Sequence, residues 1–228
     1  MTALTVLWYN VTMLLKSFSE KINTTLGRLS PARRIFLSFA LVIFAGSLLL
    51  SLPFVQATSS QATYFDHLFT AVSMVCVTGL FTQPVATTYN IWGQLICMFL
   101  IQIGGLGLMT FIGVFYIQSK QKLSLRIRET ILESFSYGET QSLMVFIRSI
   151  FLTTFIVEGL GAFLLSFRFV PEFGWGRGIF TSIFVAISAF CNAGFDNFGS
   201  TSLVAFQTDP LINLVIAGLI ITGGLGFM

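Results

Sequence analysis

The sequence predicts an all-α polytopic membrane protein, and its composition is the first observation behind this fold class. Hydrophobic residues make up 55% of the 228 residues and charged residues only 9%, whereas soluble proteins carry roughly 25% charged residues. A chain so poor in charge cannot cover a water-exposed surface with polar side chains, so lipid is its expected solvent. The net charge of +3 is too small for a nucleic-acid-binding surface. Soluble enzymes, disordered segments and disulfide scaffolds are therefore disfavoured.

The second observation is the length of the apolar stretches, since a helix needs about 20 apolar residues to cross a bilayer. Four stretches predict membrane spans: 34–53, 91–117, 143–167 and 211–228. Ser30 followed by Pro31 is a start signal for the first span, because a capping hydroxyl precedes a proline in the first turn. Two stretches of about 12 residues are too short to span and predict re-entrant helices. They cover 65–76 and 179–191.

The third observation is the distribution of lysine and arginine. Five precede the first span, none lies in 54–90, four lie in 118–142 and two in 168–210. Cytoplasmic loops carry an excess of these residues. We therefore predict that the N-terminus and the central loop are cytoplasmic and that both re-entrant helices enter from outside. Residues 1–30 are expected to form a cytoplasmic N-terminal segment that lies on the membrane surface.

The sequence also contains an internal repeat. Residues 65–80 placed over 180–195 give six identities in sixteen positions, and 100–109 over 219–228 give seven in ten. The matches include serine, cysteine and glycine in the same order, which apolar bias alone does not produce. Repeats of this kind are common in membrane transporters.

This repeat divides the chain into two parallel units. The first unit covers 31–141, including its cytoplasmic loop, and the second covers 142–228, cut within its last helix. Each unit is a span, a re-entrant helix, a short loop and a second span. A ring of such units would surround a central hole.

The loops after the two re-entrant helices predict a site for a cation. Non-helical backbone at membrane depth is tolerated only inside protein or beside water. Each helix aims the partial negative charge of its C-terminus at the loop, and free carbonyl oxygens can replace a hydration shell. Without a carboxylate in the loops, a monovalent ion fits better than a divalent one. The predicted ion-binding residues are Val77, Thr78, Gly79, Asn192, Ala193 and Gly194.

A few other polar residues are candidates for function. Asp196 directly follows the second loop and is a candidate for the outer mouth of the site. Asp66 and His67 begin the first re-entrant helix, where we expect capping rather than attraction of ions. Glu158 lies within the third span, where a carboxylate is a functional candidate. We expect it to pack within the bundle rather than to hold a coupling ion.

The sequence offers no resident cofactor or metal site. It has one histidine and three cysteines, and no cysteine lies in a C-x-x-C pair. A Walker-type phosphate-binding motif is missing as well. We therefore predict that the chain is not an enzyme, since an intramembrane enzyme would need clustered acids, bases or metal ligands.

The motifs of the loops carry a family resemblance. VTGL at 77–80 and NAGFD at 192–196 each follow a short helix that ends in cysteine, and IQIGGLGLMTF occupies 101–111. Together these motifs resemble the Trk/Ktr/HKT superfamily of cation transporters, most closely the KtrB-type membrane subunits of bacterial Ktr potassium uptake systems. The resemblance extends over nearly all of 31–228. It implies a potassium-channel-like fold in which four units surround one pore and each contributes one filter glycine.

The resemblance also implies an ion, a membrane and partners. Members with glycine in all four filter positions generally favour potassium, whereas serine in the first is associated with sodium, so Gly79 favours potassium. We expect potassium uptake driven by the membrane potential across a bacterial plasma membrane, with sodium as a candidate co-ion. The implied partners are membrane lipid, a second copy in a homodimer, and a nucleotide-binding cytoplasmic ring of the KtrA type. No nucleic-acid partner is expected.

Two alternatives and one departure from the family remain at this point. The alternatives are a sodium-transporting member of the same family and a non-conducting assembly subunit. The departure is that the family has four units and this sequence has about two, ending inside a helix at Met228. We expect a fragment of a longer chain rather than a half-pore that two copies complete.

Overall fold

The structure is a computed structural model that describes residues 31–107 and 143–225. These residues are mostly helical and contain no strand; a single antiparallel bridge joins Gln56 and Tyr89. Seven α-helices follow one another: α1 (Pro31–Leu50), α2 (Tyr64–Val75), α3 (Val85–Thr88), α4 (Ile91–Leu106), α5 (Leu143–Phe173), α6 (Trp175–Phe190) and α7 (Pro210–Gly224). Two short 3₁₀ helices cover Pro53–Val55 and Ser202–Phe206. The predicted all-α class is confirmed for the described part of the chain.

Side-chain caps explain where α4 and α7 begin. Asn90 Oδ1 accepts hydrogen bonds from the backbone N–H groups two and three residues further on, at 2.9 and 3.2 Å. Asp209 Oδ1 does the same at the start of α7, at 3.0 and 3.2 Å. Such caps satisfy N–H groups that the first helical turn leaves without a partner. The predicted cap of α1, Ser30, lies outside the described residues.

Helices α4, α5 and α6 differ in length from the sequence prediction. α4 ends at Leu106 because Gly107 takes a left-handed φ of 78°, and the rest of the predicted span, 108–117, lies outside the described residues. α5 runs to Phe173, six residues beyond the prediction, and includes Pro171. α6 begins at Trp175 and has 16 residues, so it is longer than the predicted re-entrant stretch. Only Gly174 separates α5 from α6.

The helices present apolar side chains to the outside. One helix of the described part, Arg148–Phe173, has the length and composition to cross a membrane. Four others are apolar but shorter: Ile35–Leu50, Ile91–Leu106, Trp175–Phe190 and Pro210–Gly224. Large side chains such as Phe36 and Leu214 are 72% and 73% exposed. Exposed apolar surface of this extent is typical of proteins that contact lipid or other chains.

Glycines bring the longer helices into contact in two matching places. On α1, Gly46 receives Leu100 of α4: a Cβ at this glycine would lie 2.7 Å from Leu100 Cδ2. On α5, Gly161 receives Leu219 of α7 in the same way, at 2.7 Å from Cδ1. Small residues allow this close approach of helices. The first and last helices of each predicted unit therefore pack together through the same pair of residue types.

A second matching pair of glycines holds the ends of α2 and α6. A Cβ at Gly104 would lie 2.5 Å from the carbonyl oxygen of Val75, the last residue of α2. A Cβ at Gly223 would overlap the carbonyl oxygen of Phe190, the last residue of α6. α4 and α7 thus lie directly against the ends of the helices that precede the two candidate loops.

Candidate functional site

The two candidate loops begin with the same backbone geometry. Val77 and Asn192 both follow the helix end by two residues and have left-handed φ angles of 54° and 57°. Gly79 and Gly194 follow, with φ of 75° and 70°. Non-glycine residues rarely adopt positive φ. A positive φ at the same position of both loops therefore indicates that the two loops share one local backbone structure. A residue with a side chain would be strained at the φ angles of these two glycines.

Hydrogen bonds from the loops to the preceding helices also match. The N–H of Thr78 donates to Ser73 O at 2.9 Å, and the N–H of Ala193 donates to Ser188 O at 2.8 Å. The hydroxyl oxygens of these two serines accept the N–H groups seven residues further on, from Leu80 at 2.9 Å and from Phe195 at 2.8 Å.

In the sequence, Ser73 and Ser188 stand out only as identities of the repeat, and this role was not predicted. The available signal was their constant position, six residues before each loop glycine. Because the serines anchor the loops through N–H groups, the loop carbonyls are left for other partners. Within the described part of the chain, no backbone hydrogen bond ends on a carbonyl oxygen of the six predicted ion-binding residues.

The structure brings the two loops side by side. A Cβ at Gly79 would lie 2.8 Å from Ala193 O and 3.5 Å from the Cα of Gly194. Thr78 and Asn192 are exposed, Val77 is half-buried and Ala193 is buried. Residues separated by more than a hundred positions in sequence thus form one cluster, in which Ala193 is covered and Gly194 is exposed.

The candidate outer-mouth residue, Asp196, is bonded within its own loop. Its Oδ1 accepts the N–H of Phe198 at 2.9 Å, and its Oδ2 accepts the hydroxyl of Ser202. The side chain is half-buried. Both carboxylate oxygens therefore stabilise the segment 196–202, which follows the second loop.

The capping interpretation of Asp66 is confirmed. Asp66 Oδ2 accepts the N–H and the hydroxyl of Thr63, both at 2.8 Å, and its Oδ1 accepts the hydroxyl of Thr82 at 2.7 Å. The hydrogen bond from Thr82, and then those from Thr63, hold the pKa of Asp66 below its usual value. His67 is buried, with Nδ1 2.9 Å from Tyr89 Oη and Nε2 3.2 Å from Gln56 Nε2. These contacts fix the N-terminal end of α2.

Glu158 has a partner on a different helix. Gln102 Nε2 of α4 donates to Glu158 Oε1 at 2.9 Å and to Oε2 at 3.2 Å. Both side chains are buried, at 8% and 5% exposure. Cys191, at the end of α6, has its Sγ 4.0 Å from Gln102 Oε1 and from Glu158 Oε1. Glu158 therefore packs within the helices by a hydrogen bond that joins α5 to α4, next to the residue that precedes the second loop.

Metal-binding side chains do not cluster in the described residues. No group of three histidine, cysteine or acidic side chains is close enough to hold an ion there. The three cysteines are free thiols, with Cys76 exposed and Cys97 and Cys191 buried. Within the described ranges, the oxygen atoms that the two loops could offer a cation are backbone carbonyls and the side-chain oxygens of Thr78 and Asn192.

Comparison with known proteins gives a family match. The family model described as "Cation transport protein" (TrkH) matches residues 26–228. This match covers both candidate loops and every described helix.

Individual relatives agree with the family match. The chain is 43% identical over 201 residues to the potassium/sodium uptake protein NtpJ of Enterococcus hirae, which covers 88% of this chain and 44% of that protein. It is 39% identical over 200 residues to the Ktr system potassium uptake protein B of Bacillus subtilis, with the same two shares. Its identity to the protein of the same name from Vibrio alginolyticus is 40% over 195 residues, 86% of this chain and 42% of that protein. The chain thus spans less than half the length of these relatives.

Proposed function

This chain belongs to the TrkH family of cation transport proteins, and from that premise we propose that it forms half of a membrane pore for potassium uptake. The ion enters from outside, exchanges its water for carbonyl oxygens of Val77, Thr78, Asn192 and Ala193, and passes Gly79 and Gly194. The observation that carries this proposal is the pair of adjacent loops with matching backbone geometry and free carbonyls. Carbonyl oxygens of this kind can replace an ion's hydration shell.

Helix direction supports the choice of a cation. α2 and α6 both end at a loop, so each directs the partial negative charge of its C-terminus toward the cluster. No carboxylate lies between Val77 and Leu80 or between Asn192 and Phe195. Dipoles without a fixed charge bind a monovalent ion weakly enough for release, which conduction requires.

The choice of potassium over sodium rests on the glycine at position 79. A side chain there would meet Ala193 O at 2.8 Å and a strained φ, and in the superfamily that the motifs resemble, glycine at this position is associated with potassium and serine with sodium. The names of the relatives include both potassium and potassium/sodium uptake, and sodium transport is the alternative.

The proposed pore needs further units to surround the ion. Along α2, an apolar stripe of Phe65, Phe69, Val72 and Cys76 is exposed. The corresponding stripe on α6, Phe180, Phe184, Ile187 and Cys191, is buried or half-buried. We propose that a helix from the remainder of a longer chain packs on the exposed stripe of α2. It would do so in the way that α4 packs on Cys191 at the end of α6.

The whole transporter is proposed to work in a bacterial plasma membrane without ATP chemistry in this chain. The membrane potential supplies about 2.3 kcal/mol per charge per 100 mV. Two relatives are named as components of a Ktr system, which supports a multi-component assembly. A homodimer with a nucleotide-binding cytoplasmic ring of the KtrA type is the arrangement we propose for this chain.

Glycine-to-serine variants of the full-length protein test the filter. In reconstituted vesicles, Gly79→Ser and Gly194→Ser should each lower the preference for potassium over sodium by about fivefold or more, because a side chain at such φ angles costs about 1–2 kcal/mol. Gly218→Ser is the matched control, since Gly218 lies on α7 with open space around it. Unchanged selectivity in both filter variants would contradict the proposal. Absence of ion flux in the wild type would favour an assembly subunit.

A further inference from the structure

We propose that Gln102 and Glu158 form a polar clamp that positions the second filter loop and thereby sets ion selectivity, an inference that rests on the proposed function. The Gln102–Glu158 clamp joins α4 of the first predicted unit to α5 of the second. Gln102 Nε2 reaches both carboxylate oxygens, at 2.9 and 3.2 Å. Neither residue touches the ion path in this arrangement, so both are positioning residues.

The clamp lies directly behind the start of the second loop. Cys191 Sγ is 4.0 Å from Gln102 Oε1 and 4.0 Å from Glu158 Oε1, and the next residue, Asn192, begins the left-handed turn. One turn further along α4, a Cβ at Gly105 would overlap Cys191. α4 therefore contacts Cys191 at two successive points, the polar clamp and the bare backbone of Gly105.

Burial makes the geometry of the clamp specific. Both side chains are more than nine-tenths buried. A buried carboxylate is costly unless it is hydrogen-bonded, so the two helices are held at the separation and rotation at which the amide reaches both oxygens. Any shift of α4 against α5 loses these bonds and moves Gly105 relative to Cys191. The position of the second loop follows from this constraint.

The clamp occurs at one junction rather than in each unit. At the repeat offset that matches Gly46 with Gly161, Glu158 corresponds to Ile43, and at the offset that matches Leu100 with Leu219, Gln102 corresponds to Ile221. Both counterparts are isoleucines and cannot form the same bond. The polar pair is thus not a requirement of helix packing in this fold, since the matching α1 and α7 positions are apolar.

An exchange experiment on the full-length protein tests the clamp. Gln102→Glu places two acidic groups face to face and should lower the potassium-over-sodium flux ratio by about threefold or more, the factor expected for one interhelical hydrogen bond in a membrane. The double variant Gln102→Glu with Glu158→Gln restores one amide and one carboxylate, and should recover most of the ratio. A folded Gln102→Glu protein with an unchanged ratio would overturn the clamp, as would an exchange variant that stays as defective as the single one.

A second double variant covers the case in which Gln102→Glu does not fold. Gln102→Met with Glu158→Leu makes the contact apolar, and such replacements of buried polar pairs commonly retain stability. It should fold, conduct and show a lowered ratio, whereas an unchanged ratio would overturn the clamp. Equal losses of potassium and sodium flux would also overturn it, because they indicate general damage.

The control and the reference variant separate this inference from the proposed function. Thr154 lies one helical turn before Glu158 on α5 and is buried, and its hydroxyl has no hydrogen-bond partner among the described residues. Thr154→Val should therefore leave the ratio unchanged, and a loss equal to that of Gln102→Glu would overturn the clamp. Gly194→Ser, measured in the same vesicles, reports on the filter itself. If Gly194→Ser changes the ratio and the clamp variants do not, the proposed function stands and the clamp fails.

Discussion

At the scale of single residues, two serines organise the candidate filter. Ser73 and Ser188 each accept a loop N–H through the hydroxyl and a second one through the carbonyl. A buried N–H that loses its partner costs about 1–3 kcal/mol. The serines thus hold the loop backbone in a form that has positive φ angles and leaves its carbonyls free.

Removing one hydroxyl should loosen the loop that it anchors. In Ser188→Ala, the N–H of Phe195 loses its acceptor, so its hydrogen exchange in the full-length protein should become about tenfold faster or more. Ser166→Ala is the control, because Ser166 is half-buried and its hydroxyl donates to Phe163 O within α5, far from the loop. Unaltered exchange at Phe195 in Ser188→Ala would show that the hydroxyl does not anchor the loop.

Asp66 leads to a prediction about pH. Its pKa is lowered in the folded state, so its stabilising contribution is complete above the unfolded value of about 3.9 and is lost as pH falls through the lowered folded value. Asp66→Asn should cost about 1 kcal/mol or less at pH 7, since the site is exposed and screened. The difference from wild type should begin to shrink as the pH falls below about 3.9. Thermal unfolding in detergent at pH 7, 5 and 3 measures this; a difference that grows as the pH falls would contradict it.

At the scale of helices, glycines decide how closely the elements approach. Gly104 and Gly223 each leave room for the carbonyl end of the helix before a candidate loop. Gly46 and Gly161 each receive a leucine from the last helix of the same predicted unit. Hydrophobic burial does not drive helix association inside lipid, so close van der Waals packing at small residues has that role.

Adding one methyl group on α7 should be costly at Gly223 and harmless at Gly218. In Gly223→Ala the new Cβ would overlap Phe190 O, and overpacking of this kind costs about 1–3 kcal/mol. Gly218 on the same helix has open space around it, so Gly218→Ala should be neutral or slightly stabilising. Thermal unfolding of the full-length protein in detergent compares the two. Equal midpoints for both variants would contradict the packing at Gly223.

At the scale of the whole molecule, the described helices leave much apolar surface uncovered. Exposed apolar side chains cover the outer faces of α1, α4, α5 and α7, and a further apolar stripe on α2 is exposed beside the candidate filter. The outer faces suit lipid, whereas the stripe on α2 suits another helix, because its counterpart on α6 is covered. The chain spans less than half the length of its relatives, which agrees with the proposal that further units complete a pore.

The proposed topology leads to a labelling experiment on the whole protein. Single cysteines introduced at Ser60 and at Ser124 should differ in intact cells: a membrane-impermeant thiol reagent should modify the first and not the second. The physical reason is the concentration of lysine and arginine in 118–142 and their absence from 54–90, since cytoplasmic loops carry an excess of these residues. Because Cys76 is exposed, the measurement uses a Cys76→Ser background. Labelling of the cysteine at position 124 alone would contradict the proposed topology.

The sequence by itself determined the solvent, the helical class and the location of the candidate loops. Composition indicates lipid as the solvent, because a chain with 9% charged residues cannot face water on all sides. The repeat located both loop glycines, since Gly79 and Gly194 recur at one offset with serine and cysteine before them. Helix ends were less predictable: α5 continues to Phe173 and α6 starts at Trp175, because in apolar sequence the periodic signal changes little at a helix boundary.

Only the tertiary structure decided which distant residues meet. The approach of Gly79 to Ala193 O, the fit of Gly105 against Cys191 and the bond from Gln102 to Glu158 join positions that no local pattern connects. These contacts depend on how helices rotate and cross, and that geometry follows from summed close packing at small residues rather than from the propensity of any one segment. A carboxylate in an apolar span could be recognised from the sequence as unusual, but its partner required the fold.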